Sequence, residues 1–215
     1  MAAPELYLIL EISGSDLEAH AARLSAAIGA APIASVLLRP APGDTLDARI
    51  LKPLVEAVQA KGIAGLVADD ADLARVVRAD GVHLSWNKDQ PGRMAAAREV
   101  LGGRFMLGAD AGRSRDDAMT LGEMGADYIA FGIPPHVEDR DTAFARQCDL
   151  ISWWAEIFEP PCVALDVPDT HSAHALAHAN ADFVAVTVGS GMAPDEAAAM
   201  VKSFSSAIAD AKMPA

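Results

Sequence analysis

Aromatic residues are scarce, at 5% of the 215-residue chain, and there are only two cysteines, Cys148 and Cys162. Their spacing suits no metal site, so buried free thiols are expected in place of a disulfide framework. No uninterrupted apolar run approaches the ~20 residues of a spanning helix, which argues against a membrane protein. Positive charge is in deficit. Seventeen Lys and Arg against 30 Asp and Glu leave a net charge of −13, which argues against nonspecific nucleic-acid binding, because that needs a basic surface. A small anion remains admissible, since backbone N–H groups, a helix terminus or a divalent cation hold phosphate locally against a negative field. The start, Met1-Ala2-Ala3-Pro4-Glu5, carries no basic leader, and the apolar run Leu6 to Leu10 is too short for a signal peptide, so a cytoplasmic protein is expected.

Apolar residues make up 52% of the chain, much of it alanine suited to close helix-on-sheet packing. One pattern recurs: Ala79-Asp80-Gly81-Val82-His83-Leu84, Gly125-Ala126-Asp127-Tyr128-Ile129-Ala130-Phe131-Gly132 and Asn180-Ala181-Asp182-Phe183-Val184-Ala185-Val186. Each copy is a small residue, an aspartate and a short apolar strand, as in a parallel sheet wound repeatedly in one direction. Strands are expected at 6–10, 33–38, 63–68, 82–84, 105–109, 128–132, 162–165 and 183–188, each followed by a helix. Pro53 should kink or break the second helix. Residues 39–44 read as a proline-rich loop, the fourth helix starts at Arg93, and the longest loop runs from Ile133 to about Ala145. Eight strand–helix units of roughly 27 residues predict a single-domain (β/α)8 TIM barrel over residues 1–215. An open doubly wound sheet competes, but the first strand lacks its Gly-rich phosphate turn.

Barrel chemistry sits at the C-terminal ends of strands. Those exits carry Arg39, Asp69 and Asp70, His83 with Asn87, Lys88 and Asp89, Asp110, His136 and Arg140, Asp166, and Gly189-Ser190-Gly191. The last turn lets backbone approach an anion ahead of a helix N-terminus, although an ordinary connection also needs glycine. Asp69 and Asp89 could present hard oxygens to Mg2+, or Asp69 or Asp70 could cap the next helix. His83 reads as an inward, hydrogen-bonded structural histidine more readily than as a base. His171, His174 and His178 share a helix face that reads as solvated, and Trp153-Trp154 reads as packing on the barrel, with a homodimer contact as the other reading.

These motifs, with Leu6-Tyr7-Leu8-Ile9 and the strand 2 arginine, resemble thiamin phosphate synthase and its thiazole tautomerase relatives over nearly the whole chain. The resemblance implies a cytoplasmic transferase that binds small phosphorylated heterocycles. Such an enzyme couples an aminopyrimidine methyl pyrophosphate to a thiazole phosphate with Mg2+. It implies that Arg39 contacts pyrophosphate, that Asp69 and, after a small insertion, Asp89 hold the metal, and that Arg140 stands near a family lysine. Val188 and Gly189, leading into Ser190 and Gly191, lie where backbone holds the thiazole phosphate. Departures cluster in the pocket: Leu37, Ala41 and Ala68 replace family Gln, Lys and Asn, Trp86-Asn87-Lys88 replace Gln-Glu-Asp, and Asp110 and Asp166-Val167 replace Ser and Gly-Gly. The tautomerase histidine is absent, with Gly112 nearby. Each new close like-charge contact with phosphate costs about 1 to 4 kcal/mol. A noncatalytic relative binding a phosphorylated or thiamin-related ligand is therefore the alternative, and an enzyme using Asp110 and Asp166 as an acid/base pair a third reading.

Overall fold

Alternation along each strand sends one set of side chains inward and the other out to the helices. In β1 (Glu5–Ile12), Tyr7 and Ile9 join the inner cluster while Leu6, Leu8, Leu10 and Ile12 pack under helices. The computed structural model describes residues 4–134 and 136–211. Met1 to Ala3, part of the start read above for a leader, and Pro135 of the long loop lie outside the described residues. The remaining strands are β2 (Ile33–Pro40), β3 (Ala64–Ala68), β4 (Gly81–Leu84), β5 (Met106–Asp110), β6 (Tyr128–Phe131), β7 (Cys162–Ala164) and β8 (Phe183–Val188). They close in sequence order, with β1 pairing β8 in parallel. The helices are α1 (Leu17–Ala30), α2 (Ala48–Gln59), α3 (Ala71–Val77), α4 (Gln90–Leu101), α5 (Arg115–Glu123), α6 (Arg140–Ile157), α7 (Thr170–His178) and α8 (Pro194–Asp210). The expected TIM barrel is the observed fold. No helix among the described residues is long and apolar enough to cross a membrane.

Much of the acidic excess is structural. Asp16, Asp47, Asp70, Asp89, Asp139 and Asp169 each accept an N–H in the first turn of the helix that follows. Each such cap stabilises by about 1 kcal/mol. These caps also explain the boundaries that differ from expectation. Helix α4 begins at Gln90 because Asp89 caps it and Pro91 suits its first turn, and α6 begins at Arg140 behind Asp139. Pro53 lies within an unbroken α2. Arg39 and Pro40 extend β2 because Glu11 and Ile12 continue β1 beside them.

The recurring aspartate does one job in all three copies. Asp80 accepts the N–H of Gly65, Asp127 that of Leu107 and Asp182 that of Cys162, at 2.7, 2.7 and 2.8 Å. Each therefore ties the entry of one strand to the entry of the strand before it. His171, His174 and His178 are exposed, as read from their spacing. Trp154 is buried with its indole N–H donated to Pro160 O, and Arg115 lies 4.7 Å from the centre of the Trp153 ring. Cys148 and Cys162 are both free.

Removing an aspartate clip strands a backbone donor, which costs about 1–3 kcal/mol. Asp182→Ala is predicted to lose that much stability in urea denaturation, and Asp182→Asn, which keeps an acceptor, distinctly less. Equal stability of the alanine variant and the parent would contradict the role.

Candidate active site

Strand register brings the working groups to one mouth. Glu11 and Arg39 are register partners on β1 and β2, and Ala68, His83, Gly108 and Tyr128 succeed one another across β3, β4, β5 and β6. A cavity of about 200 Å3 opens here, lined by Ile9, Leu37, Arg39, His83, Ser85, Trp86, Asp110, Ile133, Pro134, Leu165 and Asp166. Four of the expected site residues, Arg39, His83, Asp110 and Asp166, thus share one wall. Asp69, Asp89, Arg140 and the Val188–Gly191 turn belong to neighbouring strand exits and do not line it.

Arg39 donates from Nη2 to Glu11 Oε1 at 2.8 Å. Its charge is therefore partly neutralised before any anion arrives, but the rest of the guanidinium has no hydrogen-bond partner among the described residues. Glu11 also stands beside the glycine turn, because a Cβ on Gly189 would lie 3.7 Å from its Oε2. Beneath that turn the buried Arg23 of α1 donates to the carbonyl of Gly189 and, from Nη2, meets His20 Nδ1 at 2.6 Å. At the start of α8, Glu196 already accepts the Ala193 N–H. The helix end beyond the Gly189–Gly191 turn is therefore not bare.

Asp69 has φ of 61° and Asp166 φ of 54°, both left-handed values that aspartate tolerates better than most residues. Asp69 accepts from Ser85 N and Oγ, each at 2.8 Å, and from Arg93 Nη2 at 2.7 Å. Burial works against its charge, but the Arg93 and Ser85 contacts outweigh burial and hold the carboxyl below the ordinary range. Asp89 is the α4 cap, accepting from Gly92 N at 3.3 Å. Among the described residues no group of three or more His, Cys, Asp or Glu is disposed to hold a metal. The donor chemistry nonetheless fits Mg2+, which takes one or two carboxylates and fills its shell with water and substrate phosphate oxygens. Asp69 and Asp89 are carboxylates of that kind, although the side-chain contacts they make here run to Ser85, Arg93 and Gly92.

Asp110 and Asp166 flank Gly132 so closely that a Cβ there would lie 2.7 and 2.8 Å from their Oδ2 atoms. Asp110 Oδ1 accepts the N–H groups of Gly112 and Gly132, and Asp166 Oδ2 that of Ile133. Burial pushes the Asp110 carboxyl up to about 7, opposed by these N–H groups and reinforced by Asp166. Trp86 covers the site, its ring over Gly112 and 5.3 Å from His136. Among the described residues Arg140 reaches only the Ile133 carbonyl, at 3.4 Å.

Sequence reasoning missed the supports. Gln90 Nε2 donates to the carbonyls of Leu84, Ser85 and Asp110, and Gln147 Nε2 to those of Phe131 and Leu165. A long polar side chain on a helix face otherwise turned to the core was the available signal for both, and for Arg23.

Residues 6–189 match the family model described as thiamine monophosphate synthase. The chain is 36% identical, over 93% of its length and 95% of the relative, to a protein of Rhodospirillum centenum named thiamine-phosphate synthase. The chain belongs to the thiamine monophosphate synthase family. A Hyphomonas neptunium protein of the same name is 35% identical over 93% of this chain and 91% of its own. Among solved structures, thiamine phosphate pyrophosphorylase from Pyrococcus furiosus superposes with a TM-score of 0.73 over 97% of both chains, at 20% identity, and GGGPS from Thermoplasma volcanium with 0.70 over 99% and 95% at 13%. At those identities the likeness speaks for the barrel. Family membership rests on the closer sequences.

Between its unfolded value of 3.8 and its folded value of about 7, Asp110 holds a proton in the folded chain that the unfolded chain has released. Stability contributed by this group is fully present below pH about 4 and is lost as pH rises towards about 7. Asp110→Asn is predicted to raise stability at pH 8 by about 1–3 kcal/mol and to flatten that pH dependence. Unchanged denaturation profiles across pH 4–8 would contradict the assignment.

Proposed function

We propose that the chain is a thiamin phosphate synthase, joining an aminopyrimidine methyl pyrophosphate to a thiazole phosphate with release of pyrophosphate. The observation that carries this reading is identity above a third, across nearly the full length, with relatives named for that activity. The C–O bond to pyrophosphate breaks with its electron pair leaving on oxygen, and the thiazole nitrogen lone pair closes the new C–N bond. No protein nucleophile is needed, only orientation, exclusion of water and stabilised charge.

Arg39 takes the leaving pyrophosphate, exchanging Glu11 for it, and Arg140 adds positive charge from the β6 exit. The backbone of Val188, Gly189, Ser190 and Gly191 holds the thiazole phosphate. Asp110 and Asp166 lie against the aminopyrimidine, where Asp166 and, once it has lost its proton, Asp110 favour the cation that develops as the bond breaks. Ile9, Leu37, Ile133 and Leu165 keep water from capturing that cation. Asp69 and Asp89 would hold Mg2+, which would supply charge neutralisation for the departing pyrophosphate. The same reading has the protein working in the cytoplasm as a homodimer, with Ile157 at the end of α6 among the exposed large apolar side chains.

One observation favours a second reading, a noncatalytic binder of a phosphorylated ligand: Arg39 and Arg93 are already paired, with Glu11 and Asp69. Turnover separates the two. Thiamin phosphate is predicted to form from the two substrates only with Mg2+, and Asp69→Ala to slow it by about 100-fold or more, since a bound metal contributes several kcal/mol of transition-state stabilisation. Absence of pyrophosphate release by folded protein would reject the transferase.

A further inference from the structure

Polar aromatic side chains form a continuous chain through the barrel interior. Tyr7 Oη lies 2.9 Å from Tyr128 Oη, which lies 3.0 Å from His83 Nδ1. All three residues are buried, at 2%, 7% and 2% exposure. His83 lines the mouth cavity, whereas Tyr7 and Tyr128 line a separate cavity at the opposite end of the barrel. The chain exists because Gly108 sits between His83 and Tyr128 in the register. A Cβ on Gly108 would strike the Tyr128 ring, so the bare strand lets that ring reach across β5 and stack on His83, with centroids 5.8 Å apart and planes 9° apart.

Hydrogen-bond accounting orients the chain. Burial raises both phenols well above their ordinary value, so each keeps its proton. Burial pushes the His83 imidazole down to about 4, with Asp69 opposing the fall and Arg39 and Arg93 adding to it, so the ring is neutral at ordinary pH. Two phenol protons and one imidazole proton then share two hydrogen bonds. If Nδ1 carried the imidazole proton, Tyr128 would accept it and donate to Tyr7. Tyr7 would then be left with a buried O–H lacking an acceptor among the described residues, facing a cavity lined chiefly by apolar groups. A stranded donor costs about 1–3 kcal/mol. In the reverse direction Tyr7 donates to Tyr128, Tyr128 donates to Nδ1, and the one proton left over is that of Nε2, on the residue that lines the mouth cavity.

We infer that the Tyr7–Tyr128 pair is a positioning relay that fixes His83 as the neutral tautomer protonated on Nε2, so that the mouth receives a hydrogen-bond donor and not a base. The complementary ligand group is a lone-pair acceptor, such as an unprotonated ring nitrogen or a phosphate oxygen of the substrate. Only that last identification rests on the transferase reading. Tyr7 matters because its proton occupies the Tyr128 oxygen, which obliges Tyr128 to spend its own proton on His83.

The test is nitrogen NMR of the imidazole in the free, full-length protein at pH 7, which reads protonation at each ring nitrogen without requiring turnover. The expected result for the parent is an unprotonated, pyridine-type Nδ1 and a protonated, pyrrole-type Nε2. Tyr7→Phe, which deletes one hydroxyl and leaves the ring, is expected to move the two resonances toward each other as the tautomers mix. A pyrrole-type Nδ1 in the parent, or resonances unchanged in Tyr7→Phe, would overturn the relay. Because no substrate enters the measurement, its failure is distinct from failure of the transferase reading, which the turnover assay decides.

Discussion

Backbone groups at the two rims of a parallel barrel run out of ladder partners, and a buried N–H or C=O left unpaired is expensive. Much of this structure answers that constraint. At the strand entries Asp80, Asp127 and Asp182 accept the N–H groups of the preceding strands. At the exits Gln90, Gln147 and Arg23 reach in from helices and donate to carbonyls. The exit clips have a functional consequence. Gln90 joins β4 to β5, Gln147 joins the end of β6 to the residue after β7, and Arg23 props the turn after β8, so the groups around the mouth stand on tied backbone.

The second constraint is space. An eight-stranded interior holds few large side chains, and glycine decides where they cross. Gly108 admits the Tyr128 ring to His83, and Gly132 admits the Asp110 and Asp166 carboxyls to each other's neighbourhood. The phenol–imidazole chain and the Asp110 carboxyl are buried while Asp166 is exposed, and burial fixes protonation: a neutral imidazole beside paired phenols, and an Asp110 carboxyl raised to about 7. The chain's negative charge is less hostile to an anion than its total suggests, because six aspartates are spent on helix caps and others on strand clips.

The fold was legible because its signals are local and repeated. Period-two apolar strands, helix starts and the thrice-repeated aspartate survive without knowledge of partners, and the last strand was located to the residue. Boundaries slipped where a cap lay ahead of the apolar pattern, as with Asp89 before α4 and Asp139 before α6. At the site, strand parity predicted that His83 faces inward, and exit positions identified Arg39, Asp110 and Asp166. The Glu11–Arg39 and Asp69–Arg93 pairs were illegible because they join residues 28 and 24 positions apart through strand register and side-chain reach. Tyr7 and Tyr128 are 121 residues apart, and nothing in either strand alone announces that their hydroxyls meet.

A crystal structure of the protein with thiamin phosphate and pyrophosphate would test most directly whether this mouth is a transferase site. The expected result has pyrophosphate within hydrogen-bond distance of Arg39, released from Glu11, with the ligand's phosphate on the Gly189–Gly191 backbone and its aminopyrimidine against Asp110. Ligands bound away from the mouth, with Arg39 still closed on Glu11, would contradict it.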